Sequence, residues 1–281
     1  MIVAALGGIS AHKTIAGPDG WWHELAGPGK AIDPSHHRLV GIDWLEGAAS
    51  RATTGSKAGI ITTADQADHL ARSLDAEGID TLDVLYGSSF GGNVALCFAA
   101  QYPERVRKLV IIGAAHRSHP MATALRSLQR RVVELGLETG RGEQALKIAR
   151  GIAMTTYRTA KEFAGRFDTR PDATGAFPVE YYLDHHGTQY AIRNTPERFL
   201  ALSLALDFHE VDPAKIATPA LLIAFEGDAI APPWQMKELR AQLAGPAELV
   251  ELKSIYGHDA FLKESEAYAA LLQSPLTERP R

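Results

Sequence analysis

The feature that most narrows the fold of this chain is a repeated exchange between two periodicities. Short apolar runs end wherever glycine or charge appears: "IVAALGG" (2–8), "RLVGIDW" (38–44), "LDVLYG" (82–87), "KLVIIGA" (108–114), "ALLIAFEG" (220–227) and "ELVELKS" (248–254). Nearly continuous apolar runs of this length suit strands buried on both faces. Between them the pattern turns helical. "TADQADHLARSLDAEG" opens with a Thr63 cap, carries Leu70 and Leu74 on one face, and stops at Gly78. "GGNVALCFAAQYPERV" is a second helix, ended by Pro103. Such alternation predicts an α/β fold: a mostly parallel sheet of about six strands, covered on both faces.

Residues 118–212 break the alternation. "MATALRSLQRRVVELG", "GEQALKIARGIAM", "AKEFAGRF" and "TPERFLALSLALDFH" read as helices, with no convincing strand among them. The economical arrangement is one core, 1–117 and 213–281, with a helical lid, 118–212, inserted into it. The tail "SPLTERPR" reads as loose.

Charge balance narrows the partners. With 29 Lys and Arg against 33 Asp and Glu, a formal net charge of −4 leaves no electrostatic footprint for nucleic acid or anionic lipid. The opening "MIVAALGGIS" has no basic n-region and reads as a core strand rather than a signal peptide. No run approaches a membrane span, so a cytoplasmic location is the default expectation. Cys97 is the one cysteine; no intramolecular disulfide can form, and within "VALCFAA" it reads as a buried, inert thiol. His36, His37, His116, His119, His185 and His186 fall outside any H-E-x-x-H or cysteine-paired pattern, so no metal site is expected. The His36–His37 doublet reads as the polar lead into a strand.

"YGSSFGGN" (86–93) carries the chemistry. Gly87 and Gly91 bracket Ser89 as G-x-S-x-G, between a strand and a helix. A serine held at so sharp a turn has its hydroxyl exposed, with the following helix N-terminus facing the reaction site. The alternative is a structural turn or a phosphate-binding glycine loop; G-x-G-x-x-G does not occur. A serine nucleophile needs a base and an acid behind it. In α/β-hydrolases these follow in the order serine, acid, histidine. Asp228, just past the strand in "LLIAFEGDAIAPP", and His258, in "VELKSIYGHDAFL", satisfy that order. Glu226 is the competing acid, and Asp228 as a helix cap is the competing role. The oxyanion of a tetrahedral intermediate calls for two donors: the Phe90 N–H, and one from the turn "ALGGIS" near Leu6 and Gly7. Trp21 and Trp22 stand either near the mouth, excluding water, or in the core as anchors.

Several longer segments resemble a known family. "GWWHELAGPGKAID", "YGSSFGGNVAL", "YPERVRKLVIIGAAHRS", "AMTTYRTAKEFAGRF" and "YGHDAFL" together look like the homoserine O-acyltransferases of methionine biosynthesis, an α/β-hydrolase-fold group, over roughly residues 2–265. The resemblance implies transfer of an acyl group from acetyl-CoA or succinyl-CoA, as co-substrate, to a serine and then to the homoserine hydroxyl. It makes Ser89, Asp228 and His258 the triad and implies no further cofactor. It also places Asp259 at the substrate amine and Arg193 at its carboxylate, and it suggests homodimers through the lid helices. The residues themselves leave Asp259 open as a helix cap and Arg193 as a solvated charge. The chain departs from the family pattern in places. Two further strands usually precede the one that opens here; "ALGGISAH" stands where many members have H-A-L-T-G-D; Phe90 replaces methionine or leucine; and Phe199 falls where a tyrosine is expected. The acceptor, homoserine or serine, is therefore left open.

Overall fold

The computed structural model describes residues 1–46 and 59–277. Six strands form one sheet: β1 (Ile2–Leu6), β2 (Arg38–Val40), β3 (Val84–Ser88), β4 (Leu109–Ile112), β5 (Ala220–Phe225) and β6 (Ala247–Leu252). Their order across the sheet is β2-β1-β3-β4-β5-β6, and every neighbouring pair is parallel. Each apolar run named above supplies one strand, though the second is shorter than expected. It leaves the ladder at Gly41, where a Cβ would sit 2.3 Å from the Lys13 carbonyl oxygen, because another backbone presses on it there.

Both faces of the sheet are dry. Ala4, Leu6, Leu85, Leu109, Ile111, Leu222 and Ala224 join one buried cluster; Val3, Ala5, Val84, Tyr86, Val110, Ile112, Ile223 and Phe225 join the other. Neighbouring residues thus point to opposite faces, as a strand demands, and an apolar run with no polar alternation follows from covering both.

The helices are α1 (Thr63–Ala76), α2 (Phe90–Gln101), α3 (Pro120–Glu138), α4 (Gly142–Tyr157), α5 (Ala160–Arg166), α6 (Pro178–Arg193), α7 (Pro196–Asp207), α8 (Pro233–Gln242), α9 (Ala260–Lys263) and α10 (Ser265–Thr277). The cap of α1 is Thr62, one residue before the expected Thr63. Thr62 accepts from the Asp65 N–H while the Asp65 carboxylate accepts from the Thr62 N–H, a reciprocal box that Thr63 cannot form. Residues 274–277, expected to be loose, complete α10; residues 278–281 lie outside the described residues.

Helices α3 to α7 all fall between β4 and β5. This insertion leaves and rejoins the sheet side by side, through an antiparallel bridge between Arg117 and Glu210 and a Val211 N–H to His116 carbonyl bond of 2.9 Å. His209 pins the return. Its Nε2 lies 2.9 Å from the Ala115 carbonyl and its Nδ1 2.8 Å from the Thr63 hydroxyl. Burial pushes its pKa down to about 4, so it sits there neutral. Cys97 is buried beside the same hydroxyl, and burial raises its thiol to about 11, well out of the reactive range.

Candidate active site

The turn from β3 to α2 is built from small residues because nothing larger fits. A Cβ on Gly87 would lie 2.6 Å from the Gly91 oxygen, one on Gly91 2.2 Å from the Leu6 oxygen, and one on Gly92 2.5 Å from Ala114. Between them Ser89 adopts φ 53° and ψ −119° and is the one non-glycine residue with positive φ among the described residues. Strain of this kind costs of order 1–3 kcal/mol and persists only where surrounding packing enforces it. The three glycines and the Leu6–Gly7 backbone enforce it here.

Two loops from the far half of the sheet reach Ser89. His258 lies in the turn Gly257–Asp259 after β6, and Asp228 three residues past the end of β5. His258 Nε2 is 2.8 Å from Ser89 Oγ, and its Nδ1 is 2.8 Å from Asp228 Oδ2. The second Asp228 oxygen accepts the Ile230 and Ala231 N–H groups at 2.7 and 3.0 Å, which fixes the carboxylate plane. The competing acid, Glu226, is exposed. Gly113, just past β4 with φ +54°, keeps the centre open: a Cβ there would stand 3.4 Å from Asp228 Oδ2 and 3.5 Å from the His258 ring. Burial pushes the His258 pKa down, but the charge and hydrogen bond of Asp228, with the charge of Asp259, outweigh it and the net shift is upward.

The Phe90 N–H opens α2 and so is among the amides a helix leaves without an internal partner. Its ring is buried edge-on against Trp44. The carbonyls of Leu6 and Gly7 turn toward this helix start, and Gly7 accepts the Gly91 N–H at 2.8 Å. Gly8 and Ile9, one and two residues further on, are the parts of that turn beside Ser89 and the cavity.

A cleft of about 650 Å³, partly open to solvent, runs from Ser89 and His258 beneath the helical insertion. Ala122, Leu125, Arg126 and Gln129 from α3, Tyr157 from α4, and Ile230 and Gln235 from the β5 side line it. Trp21 and Trp22 do not. They stack at 5.0 Å over the sheet face, and Trp22 donates to the Phe261 carbonyl, so both are anchors of the core. Phe199 does not line the cleft either; it packs against Val133, Leu146 and Tyr190 inside the insertion, so its difference from the family's tyrosine falls away from the site.

Arg193 is displaced from the expected role. It is the exposed last residue of α6, where its charge suits the helix C-terminus, and it is absent from the cleft lining. Asp259 instead meets Arg158, whose Nε is 2.8 Å from its Oδ2, with both side chains buried. Arg158 also lies 3.6 Å from Glu162. Its Nη1 and the Glu162 Oε2 are buried without a hydrogen-bond partner. Asp259 stands at the cap position of α9 but makes no capping bond. Arg158 falls inside "MTTYRT", a segment whose aromatic–arginine pair was the available signal; Gly113, in "IIGAAH", gave only a glycine at a strand end.

Comparison with known proteins places this geometry. The sequence profile described as alpha/beta hydrolase fold matches residues 5–265. A homoserine O-succinyltransferase of Xanthomonas campestris is 41% identical over 283 residues, spanning 98% of this chain and 75% of its own. The chain belongs to the homoserine O-acyltransferase family of the α/β-hydrolase fold. A second member, a homoserine O-acetyltransferase of Thermus thermophilus, is 35% identical and spans 95% of this chain and 74% of its own. Among solved structures, a Bacillus anthracis homoserine O-acetyltransferase superposes with TM-score 0.85 at 18% identity, covering 99% of this chain and 88% of that one. The esterase E22 does so with TM-score 0.84, also at 18%, covering 98% and 89%. Acyltransferase and esterase thus share this family's architecture, and the fold by itself does not separate the two chemistries.

Among the described residues, no helix is long and apolar enough to cross a membrane.

Proposed function

We propose that this chain is an acyl-CoA-dependent O-acyltransferase that moves an acetyl or succinyl group through an acyl-serine at Ser89 to the hydroxyl of L-homoserine. The observation that carries the proposal is the pairing of a 2.8 Å Ser89–His258–Asp228 relay with a buried Arg158–Asp259 pair one residue away. The relay supplies the acyl-enzyme. As Ser89 Oγ attacks the thioester carbonyl, His258 Nε2 takes its proton; the C–S bond breaks and the CoA sulfur leaves with that proton. The Phe90 N–H, with an amide of the turn that follows β1, faces the oxyanion. The homoserine hydroxyl then attacks the acyl-serine, giving its proton to His258, which returns it to Ser89.

The Arg158–Asp259 pair fits a zwitterionic acceptor. An α-amino acid presents one anion and one cation at fixed separation: its carboxylate suits the guanidinium fork and its ammonium the Asp259 carboxylate. Asp259→Asn is expected to raise KM for homoserine about 10- to 100-fold, the worth of a charge-assisted hydrogen bond, with a smaller change in kcat. An unchanged KM would remove Asp259 from the acceptor site. L-Serine is the second acceptor of interest, since it carries the same two charges with a shorter arm.

The decisive assay follows free CoA. Release is expected to be rapid only when homoserine accompanies the acyl-CoA; equal release without an acceptor would make the chain a hydrolase. We also propose a homodimer through the outer faces of α3, α4 and α6, where Leu128, Leu135, Ile148 and Ile192 are exposed by half or more. Sedimentation velocity should show a dimer that Ile148→Glu dissociates; a monomeric wild type would refute it.

A further inference from the structure

Helix α3 turns Ala122, Leu125, Arg126 and Gln129 into the cleft that holds the Ser89 hydroxyl, all on one helix face. The first two are apolar. Arg126 and Gln129 are polar and yet only 9% and 4% exposed. Arg126 Nε lies 2.8 Å from Asp207, while its Nη2 contacts the same carboxylate and the Ser118 hydroxyl. Its Nη1 and the whole Gln129 side-chain amide make no hydrogen bond among the described residues. Asp207 does not serve Arg126 alone, because Arg130 Nη2 stands 2.6 Å from its other oxygen. Arg117, also on the cleft, is matched by Glu238 at 2.8 and 3.0 Å. The α3 wall is therefore left with buried N–H donors and a positive charge only partly answered by protein. Groups like these are costly to keep dry unless a ligand pairs with them.

Resting on the O-acyltransferase reading above, we propose that Arg126 and Gln129 form the distal acyl subsite and select a donor whose acyl chain ends in a carboxylate, a succinyl-type thioester over an acetyl one. The acceptor's own carboxylate is answered by Arg158, so the anion that the α3 wall awaits belongs to the acyl group. An acetyl group ends in a methyl, which would leave the Arg126 and Gln129 donors unpaired. A site built to bond a polar group discriminates strongly against ligands lacking it. The charge of Arg126 is also felt at His258, whose pKa it lowers, which fits a position on the wall of the reaction site.

The test compares kcat/KM for succinyl-CoA and acetyl-CoA, with homoserine saturating, in wild type, Arg126→Met, Arg126→Lys and Gln129→Glu. Wild type is expected to favour succinyl-CoA by ~100-fold or more. Arg126→Met should collapse that ratio, and Arg126→Lys should keep part of it through the charge alone. Because Arg126 also holds Asp207, Gln129→Glu provides the arm that leaves this ion pair intact; like-charge repulsion should lower its ratio at least tenfold. A wild type that favours acetyl-CoA, or a ratio that neither Arg126→Met nor Gln129→Glu moves, overturns the proposal. Burst kinetics with p-nitrophenyl acetate and mono-p-nitrophenyl succinate read the same subsite without CoA or acceptor. Succinyl preference there, with no gain from homoserine in the CoA assay, would sink the transferase reading and leave the subsite standing.

Discussion

Ser89→Ala is expected to lower turnover by roughly 10⁴- to 10⁶-fold without unfolding the protein. The size follows from the position. His258 Nε2 has its 2.8 Å partner in Ser89 Oγ, and removing that oxygen leaves a base with no proton to take. The fold should tolerate the change because the turn is enforced by its neighbours: alanine inherits the φ of 53° that serine already bears, and the contacts at Gly87, Gly91 and Gly92 are untouched. A fluorophosphonate probe should label the wild type at Ser89 and leave the variant unlabelled. A variant that still transfers acyl groups at a tenth of the wild-type rate would mean that the chemistry does not pass through this hydroxyl.

Asp228→Asn should cost about 10⁴ in kcat and shift the pH profile as well. Asparagine matches aspartate in shape, so the Ile230 and Ala231 N–H contacts can survive through its amide oxygen. Its NH₂ would then face His258 Nδ1 and favour the wrong tautomer, with no base left at Nε2. The pH effect has a definite sign. In the wild type the net shift of His258 is upward, and catalysis needs the neutral imidazole. The acid limb of kcat/KM is therefore expected above the ordinary histidine pKa of about 6.5, with rate lost as pH falls through it. Without the Asp228 charge, burial governs the imidazole and the residual activity should have its acid limb at lower pH. An acid limb that stays in place in the variant would show that Asp228 does not set the state of His258.

How far the sequence revealed this site depends on the kind of signal each part leaves. Strands buried on both faces leave an unmistakable run of apolar residues, so all six could be read locally. The sharp β3–α2 turn leaves glycines, because only residues without a Cβ clear the Leu6 carbonyl and Ala114. Asp228 and His258 follow strand ends in the order that the α/β arrangement imposes. The cation for the acceptor left no such trace. Arg158 and Arg193 both sit in helix-forming sequence, and nothing in the local pattern tells which end of which helix returns to the sheet. Arg193 ends α6 at the surface, whereas Arg158 follows directly on α4 and its guanidinium meets Asp259 across 101 residues of chain.

By itself, then, the sequence determined the sheet, the nucleophile's turn and the order of the relay, since each depends on backbone periodicity or on the sterics of neighbouring residues. Only the tertiary structure decided which polar residues of the helical insertion face the serine, namely Arg158 beside Asp259, Arg126 and Gln129 on the cleft wall, and Arg193 out in solvent. That choice turns on how α3, α4 and α6 pack over the sheet, and a helix whose polar residues occupy more than one face does not announce which face will be buried.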